Sequence, residues 1–400
     1  MTQTALSRNR YFIAAALLLA MTFCHLMLVL SLLPSLRNGY QDFTIFYSAG
    51  TMIRTGQAGT LYDLSAQYAV QRQFAPHVTV RQAALPYNHP PFEALLFLPF
   101  TFFAYWPAYM LWTVLNFIMI GVTLALLRQF PGISSLPPAF LCLGATAFFP
   151  LAIGIVQGQD SILLLLICVL GMTAWEREQD ALAGAVLAAG LFKFHLMIPI
   201  VLLLAMRRWR VLLGFLPVAA GLAAVSVAIM GWSGPLHYVR FVLHLEKTGA
   251  GGAIGANGMP TLHGLFANLP GLSASPLLVT LLTLLSSIAV FAIAALRIKR
   301  GPDATFFTFS LCSVTAILVS YHALAYDLSL LLPVALLLLS DAVSGQSEAM
   351  QDRTILILLF LTPLYVVLWF VLNKFFFFAL VPLWLFVRLV GSRPKAERPA

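Results

Sequence analysis

The chain has 400 residues, of which 60% are hydrophobic and only 9% are charged, and its net charge is +9. A soluble domain carries roughly 25% charged residues, so this composition excludes a soluble globular fold, which could not hide so much apolar surface. The positive charge does not indicate nucleic-acid binding, because no basic stripe with interleaved aromatic residues occurs. The charges instead separate long apolar runs, which is the pattern of membrane-spanning helices.

Apolar runs of helical length follow one another along the chain, and we predict an all-α polytopic membrane protein of about 12 helices (range 10–13). The first run follows Arg8 and Arg10, is longer than the apolar part of a signal peptide, and shows no small-residue cleavage site near its end. We therefore predict an uncleaved first helix. The predicted helices lie near 11–33, 105–128, 138–153, 160–175, 181–192, 195–206, 211–230, 276–296, 304–320, 326–341, 354–371 and 375–390.

Two connections between these helices are long, at about 34–91 and 231–274, and all others are short. Long loops in compact proteins are usually functional or disordered. The first contains amphipathic pieces near 43–57 and 62–75, so we predict that it is ordered and lies along the membrane surface. All 400 residues are predicted to form one transmembrane domain with a cytoplasmic tail at about 391–400.

Lysine and arginine residues are distributed unequally between the two sides of this layout. With the N-terminus in the cytoplasm, fifteen of the 23 fall on the cytoplasmic side, including the basic connectors 207–210 and 297–300. Short basic connectors are typical of the cytoplasmic face. We therefore predict a multi-pass protein of the plasma (inner) membrane with both termini in the cytoplasm. Seven of the eight histidines then lie on or near the outer face, and only His25 lies mid-span.

Ionisable residues at or within apolar helices are candidate functional groups. Asp42 begins an amphipathic segment after the first helix, where it either caps free backbone N–H groups or acts as a general base. Asp160 joins two short helices, and it either caps the second or points into a polar cavity. Lys193 lies between two short apolar helices, where it either reaches lipid headgroups or holds a phosphate together with His195.

Three further histidines belong to the candidate set. His89 precedes a Pro-Pro pair and the apolar run 92–103, which is too short to span and is predicted to dip into the membrane over the site. His322 lies near Asp327 at another outer helix pair, and His263 lies in the second long loop. Taken singly, the segments around His322 and His263 indicate little beyond polar loop chemistry.

Several kinds of site lack support in the sequence. The four cysteines lie inside apolar runs without a CxxC pair, so we interpret them as buried free thiols. No Walker loop, GxGxxG, HExxH or zinc-finger spacing occurs, and no DxD or ExD pair offers an evident clamp for a divalent metal. We therefore predict no cofactor and no metal site.

These segments, in this order, resemble the glycosyltransferase family 87 proteins, also known as the domain of unknown function 2029 group, over roughly residues 10–340. One difference is His89, which stands where the family often has a tyrosine before Pro-Pro. The residues similar to the family pattern are Asp42-Phe43 with Phe46-Tyr47, Leu61-Tyr62-Asp63, the run from Tyr87 to Pro99, Gly158-Gln159-Asp160, Lys193 and the arginine-rich turn 207–210.

The resemblance implies the C-type glycosyltransferase fold and the activity of a bacterial membrane mannosyltransferase. Its implied partners are a polyprenyl-phosphate sugar donor, a lipid or glycan acceptor and membrane lipids, with no nucleic acid. Asp42 would be the catalytic base of an inverting transfer on the periplasmic or exterior side. Lys193, His195 and His322 would bind the donor phosphate. The other implied substrate-binding residues are Tyr47, Tyr87, His89, Gln159, Asp160 and His263.

Two other classes of function stay open. A transporter or flippase would use the same intramembrane Asp and Lys to bind a substrate at mid-bilayer. The two halves of the chain show no internal repeat, however, and the polar residues cluster at the outer face. A structural assembly subunit without activity is the third class, and the combination of Asp42 with phosphate-binding candidates weighs against it.

Overall fold

A computed structural model of the chain describes residues 3–248, 255–301, 304–345 and 350–392. These residues form helices joined by loops, and no β-strand occurs among them. The all-α fold class is therefore confirmed. Part of the predicted second loop and most of the predicted tail lie outside the described residues.

The first half of the chain contains the first long helix, the ordered first loop and the helices that follow it. Its α-helices are α1 (Gln3–Arg37), α2 (Phe43–Arg54), α3 (Leu64–Gln71), α4 (Pro76–Arg81), α5 (Ala94–Phe97), α6 (Tyr105–Leu127), α7 (Pro138–Ala147), α8 (Phe149–Gln157), α9 (Ser161–Glu176) and α10 (Asp180–Ala188). The 3₁₀ helices here are Ala58–Thr60, Pro91–Glu93, Leu98–Phe102 and Leu191–Lys193.

The second half continues the bundle. Its α-helices are α11 (Phe194–Ala205), α12 (Val211–Met230), α13 (Gly234–Thr248), α14 (Leu262–Ala267), α15 (Pro276–Arg300), α16 (Thr305–Val319), α17 (Leu332–Ser344), α18 (Met350–Phe360), α19 (Thr362–Val366) and α20 (Leu380–Gly391). Short 3₁₀ helices cover Ala256–Gly258, Ala325–Leu331 and Phe375–Ala379, and a π-helical turn covers Val367–Val371.

Five of the described helices are long and apolar enough to cross a membrane, or eight if each bent pair of helices counts as one span. The five are α1, α6, α12, α15 and the continuous segment Ala325–Ser344 that ends with α17. The bent pairs are α7 with α8, α10 with the segment Leu191–Ala205, and α18 with the segment Thr362–Val371. The chain is thus a polytopic membrane protein.

All twelve predicted helices contain helical structure, and α6 and α12 have nearly the predicted bounds. Two predicted helices are broken, however: 138–153 is the bent pair α7–α8, with an angle of 63°, and 354–371 is bent by 59° after α18. Pro150 and Pro363 lie in the first turn of the second helix of each pair. Proline lacks an N–H, and its ring clashes with the carbonyl four residues earlier, so one continuous helix cannot run through either position.

Helices α10 and α12 meet through glycine. A Cβ atom at Gly184 would collide with the carbonyl oxygen of Val211, and a Cβ atom at Gly214 would collide with the carbonyl oxygen of Ala181. The two backbones therefore touch where each helix has no side chain. Small residues allow this close approach in membrane helices, where packing replaces the hydrophobic effect as the main driving force.

The first long loop is ordered, as the amphipathic pattern predicts, because an aromatic core lies beneath it. Phe46 of α2 stacks on Phe97 of α5 with ring centroids 4.5 Å apart, and Phe97 contacts Trp112 of α6 at 4.9 Å. Gly50 of α2 lies against the backbone of Phe97, so that a Cβ atom would approach it to 2.9 Å. This packing holds the N-terminus of α2, and with it Asp42, over the helix bundle.

Basic residues converge at the end of the bundle where α9 terminates. The guanidinium of Arg208 lies 4.5 Å from the Trp175 ring and contacts Asp180 Oδ1 at 3.2 Å. Arg207 Nη1 donates to the carbonyl oxygens of Ile298 and Gly301 at 2.6 and 2.9 Å. The basic connectors of the sequence therefore join two parts of the bundle at one end.

We expect Gly214→Leu to destabilise the protein, because the new side chain must separate α10 from α12. Overpacking of this kind costs about 1–3 kcal/mol. Gly221→Leu on the same helix is the matched control, since no atom lies within 4 Å of a Cβ atom there. Thermal unfolding in detergent should show a lower midpoint for Gly214→Leu alone; equal midpoints for the two variants would contradict the packing.

Candidate active site

A cavity of about 450 Å³ lies where the first loop meets the ends of several helices. This volume is within the range of small-ligand sites. Seven of the ten site residues predicted from the sequence line it, together with Tyr326 and Asp327. The seven are Asp42, His89, Gln159, Lys193, His195, His263 and His322.

Asp42 occupies the position before α2, but its side chain does not cap the helix. Gln159 Nε2 instead donates to Asp42 Oδ2 at 2.6 Å, and the backbone N–H of Asp42 donates to Gln157 Oε1 at 3.1 Å. Asp63 provides the contrast, because its carboxylate at the start of α3 accepts from the N–H groups of Ser65 and Ala66. These hydrogen bonds therefore hold Asp42 at the cavity.

Burial raises the pKa of the Asp42 carboxyl from its ordinary value of 3.8 to about 6. The hydrogen bond from Gln159 and the charge of Lys193 act in the opposite direction, since both stabilise the carboxylate. The carboxylate is therefore ionised at neutral pH and more basic than an exposed aspartate. A general base is most useful when its pKa is near the working pH.

The end of α8 and the turn that follows it supply the two glutamines that hold Asp42, Gln157 and Gln159. Gly158 in this turn has a φ of 62°, in the left-handed region. A Cβ atom there would come within 2.7 Å of Phe43 Cβ, so glycine also permits close contact with α2. The indole N–H of Trp112 donates to the Gly158 carbonyl at 2.9 Å. Backbone and side-chain contacts thus fix Gln159 against Asp42.

Lys193 is buried, with only 4% of its surface exposed, and it contacts several polar side chains. Its ammonium donates to Asp327 Oδ1 at 2.6 Å and to Ser161 Oγ at 2.7 Å, and it pairs with Asp160 Oδ1 at 2.9 Å. Gln159 Oε1 lies 3.5 Å from the same ammonium. An ammonium has three N–H groups, so these four neighbours occupy it. Lys193 does not reach solvent as a snorkelling lysine would, and it faces carboxylates.

Asp160 and Glu93 lie behind the cavity wall and are 0% and 1% exposed. Asp160 sits at the start of α9 without capping it. Its Oδ2 lies 3.7 Å from His89 Nδ1, and Glu93 Oε2 lies 2.8 Å from the same nitrogen. Glu93, Ser161 and Asp327 were not among the predicted site residues. In the sequence, Asp327 and Glu93 are marked only as carboxylates next to apolar helices. This pattern does not show which residue each carboxylate contacts.

Three histidines, His195, His263 and His322, also line the cavity. The rings of His195 and His322 have centroids 6.5 Å apart, and the ring of His263 stacks on Tyr321 at 4.0 Å. Both ring nitrogens of His195 and Nδ1 of His263 lack a hydrogen-bond partner among the described residues. Burial lowers the pKa of His322 and His263. Uncommitted imidazole nitrogens can donate to an anionic oxygen of a ligand.

Tyr47 and Tyr87 are not among the residues that line the cavity, and their substrate-binding roles stay predictions. The Tyr47 hydroxyl donates to the Phe103 carbonyl at 2.8 Å, and the buried Tyr87 hydroxyl donates to the Pro90 carbonyl at 2.9 Å. Both tyrosines hold the polypeptide beneath the site, because a buried phenol is satisfied by such a partner. Asp160 is also outside the wall, where it pairs with Lys193.

Comparison with known proteins assigns the chain to a family. Searches of curated proteins and of solved structures each found no match to the chain. A family model described as glycosyltransferase family 87 matches residues 87–320, which is more than half of the chain. The matched region contains His89, Gln159 and Lys193, while Asp42 precedes it. The chain belongs to glycosyltransferase family 87, and it is a membrane glycosyltransferase.

Proposed function

We propose that this glycosyltransferase moves a mannose-like hexose from a polyprenyl-phosphate donor to a hydroxyl of a lipid or glycan acceptor, by inversion, on the outer face of the membrane. The C-type glycosyltransferase fold belongs to the same proposal. One observation carries it: the Asp42 carboxylate, held by Gln159, lines the same cavity as His195 and His263, which have ring nitrogens without a partner among the described residues. A candidate base and candidate anion-binding donors thus share one cavity.

In this mechanism the Asp42 carboxylate accepts the proton of the acceptor hydroxyl. The acceptor oxygen forms a bond to the anomeric carbon of the sugar while the bond from that carbon to the phosphate oxygen breaks. Polyprenyl phosphate leaves with the bonding electron pair. A single displacement of this kind passes through an oxocarbenium-like transition state and inverts the configuration. The donor is already activated, so the reaction needs no nucleotide site.

The developing charge on the leaving phosphate needs donors on the far side of the sugar. His195, His263 and His322 are suitable, because at least one nitrogen on each of His195 and His263 has no partner among the described residues. Preorganised donors at a developing anion are commonly the largest single contribution to catalysis. Lys193, predicted as a phosphate ligand, donates hydrogen bonds to Ser161 and Asp327 and forms an ion pair with Asp160. We assign it a positioning role instead.

The proposal that the cavity opens on the outer side of the membrane rests on the distribution of basic residues. The cavity lies at the N-terminal end of α9, while Arg208 contacts Trp175 and Asp180 at the other end of that helix. Basic residues of short connectors mark the cytoplasmic face. A plasma (inner) membrane protein with both termini in the cytoplasm would therefore open its cavity towards the periplasm or exterior.

We expect Asp42→Asn to reduce sugar transfer about 100- to 10,000-fold, the usual contribution of a general base. Purified protein in lipid vesicles would receive polyprenyl-phosphate mannose and a lipid or glycan acceptor, and the product would be quantified by mass spectrometry. Asp63→Asn is the matched control, because Asp63 lies in the same loop but caps α3. Equal transfer by wild type and Asp42→Asn excludes Asp42 as base. Flux of substrate across the vesicle without transfer would instead support a transporter.

The pH dependence of transfer should report the Asp42 carboxyl. Because its pKa is about 6, the rate should fall as the pH drops through about 6, where the base becomes protonated. The Gln159 hydrogen bond lowers this pKa, so Gln159→Met should move the acidic limb of the rate profile to higher pH. The exposed Gln73→Met should leave the profile in place. An unchanged acidic limb in Gln159→Met would argue against the pairing.

Replacing a phosphate-facing histidine should slow the chemical step. We expect His195→Phe to lower kcat for transfer by about 10- to 100-fold, since donors at a developing anion act mainly in the transition state. The aromatic ring keeps the buried site filled. The exposed His237→Phe on α13 is the control. Steady-state rates at saturating donor measure the effect, and a change confined to the acceptor KM would place His195 elsewhere in the reaction.

A further inference from the structure

A second cluster lies directly behind the cavity wall, formed by His89, Glu93 and Asp160. One ligand atom from each of the three side chains lies within 4.8 Å of the other two. His89 Nδ1 is 2.8 Å from Glu93 Oε2 and 3.7 Å from Asp160 Oδ2. Ligand atoms around a metal with bonds of about 2.1 Å are separated by about 3.0–3.4 Å. The measured distances of 2.8 and 3.7 Å lie on either side of this range, so side-chain shifts of less than about 1 Å would give the three atoms the spacing of metal ligands.

The carboxylates of this cluster are buried without well-aligned hydrogen bonds. Glu93 is 1% exposed, and neither of its oxygens has a hydrogen bond in the described part of the chain, although His89 Nδ1 lies 2.8 Å from Oε2. Asp160 is 0% exposed, and its oxygens also lack hydrogen-bond geometry, although Oδ1 pairs with Lys193. Buried carboxylates normally accept hydrogen bonds, pair with a cation or bind a metal. Both carboxylates therefore have oxygens that a metal ion could bind.

The surrounding residues hold His89 with its Nδ1 directed at the carboxylates. Its ring lies between Phe46, at 5.0 Å, and Tyr87, at 5.7 Å. The Tyr62 hydroxyl donates to the His89 carbonyl at 2.8 Å. Pro90 and Pro91 then limit the backbone between His89 and Glu93. Side chains and backbone that orient a ligand before metal binds are the usual surroundings of a metal site.

The carboxyl groups around the cluster also favour a bound cation. Asp42 and Asp327 line the cavity, Glu93 and Asp160 lie behind it, and Lys193 is the one lysine or arginine among the described residues that line the cavity. Lys193 already pairs with Asp160 and Asp327. Four carboxyl groups therefore lie near one ammonium in a buried place. A divalent cation is a suitable further partner for these groups, and His89, with a side chain that is 13% exposed, lies in the cavity wall.

We propose that His89, Glu93 and Asp160 bind one divalent transition-metal cation of the Zn²⁺ or Mn²⁺ class. One imidazole nitrogen and two carboxylate oxygens suit these ions. Three protein ligands leave a coordination position towards the cavity. The sequence prediction of no metal site overlooked this combination because the ligands come from two separate segments. The proposal concerns metal binding and does not depend on the sugar transfer proposed above.

The test measures metal bound to the full-length protein in detergent without any sugar donor. The protein is treated with a chelator and desalted, and Zn²⁺ or Mn²⁺ is then titrated by calorimetry. We expect one ion per chain for the wild type and an affinity at least about 10-fold lower for Glu93→Gln. Asp63→Asn, at an exposed helix cap, should bind like the wild type. Co²⁺ should give a d–d absorption spectrum that Glu93→Gln loses.

Unfolding measurements and a separate sugar-transfer assay distinguish folding and function from metal binding. Size-exclusion profiles and unfolding midpoints identify variants that fail to fold, and His89→Gln replaces Glu93→Gln if that variant aggregates. Metal should raise the unfolding midpoint of wild type but not of either ligand variant. Less than one ion per chain in folded wild type, or equal affinity in the variants, overturns the proposal. Stoichiometric binding without sugar transfer would reject only the proposed function, and transfer without metal binding would reject only the metal site.

Discussion

The site depends on one buried ammonium. Lys193 joins Asp160 at the start of α9, Ser161 one residue later, and Asp327 in the 3₁₀ helix before α17. An ion pair this deep costs desolvation of all its charges, and removing one partner leaves the others uncompensated. Such a cluster therefore adds little to the free energy of unfolding, and its main effect is to fix one arrangement of the segments that it joins. Because Ser161 donates to Asp327 at 2.9 Å as well, the three segments keep one relative position at the base of the cavity.

Two aspartates at equivalent positions show why local sequence does not determine a role. Asp42 and Asp63 both precede a helix in the first loop, and only Asp63 caps its helix. Tertiary contacts distinguish the two aspartates. The junction of α8 and α9, with Gln157 and Gln159, reaches Asp42 because Gly158 allows close contact with Phe43. A carboxylate drawn away from the backbone N–H groups and towards a buried amide becomes available for chemistry. This difference lies in contacts between residues far apart in the chain.

The sequence predicted the parts that depend on local pattern. The bounds of α6 and α12 follow from uninterrupted apolar runs, and the ordered first loop follows from its amphipathic period. The bend between α7 and α8 was missed because Pro150 was read as part of a continuous run. Seven cavity residues were found because they lie at one end of successive helices. Glu93 and the hydrogen-bonding roles of Tyr47 and Tyr87 were missed, because side-chain direction in irregular segments depends on tertiary packing.

Helix α9 has 16 residues and is therefore about 24 Å long, several Å shorter than a hydrocarbon core of about 30 Å. In the proposed topology its charged end, at Glu176 beside the basic connector, lies on the cytoplasmic side, and its other end would stop short of the opposite headgroups. The cavity at that end would then be recessed below the membrane surface. For the proposed reaction, this depth would govern fidelity: an activated sugar would meet few water molecules there, so transfer to an acceptor would compete well against wasteful hydrolysis.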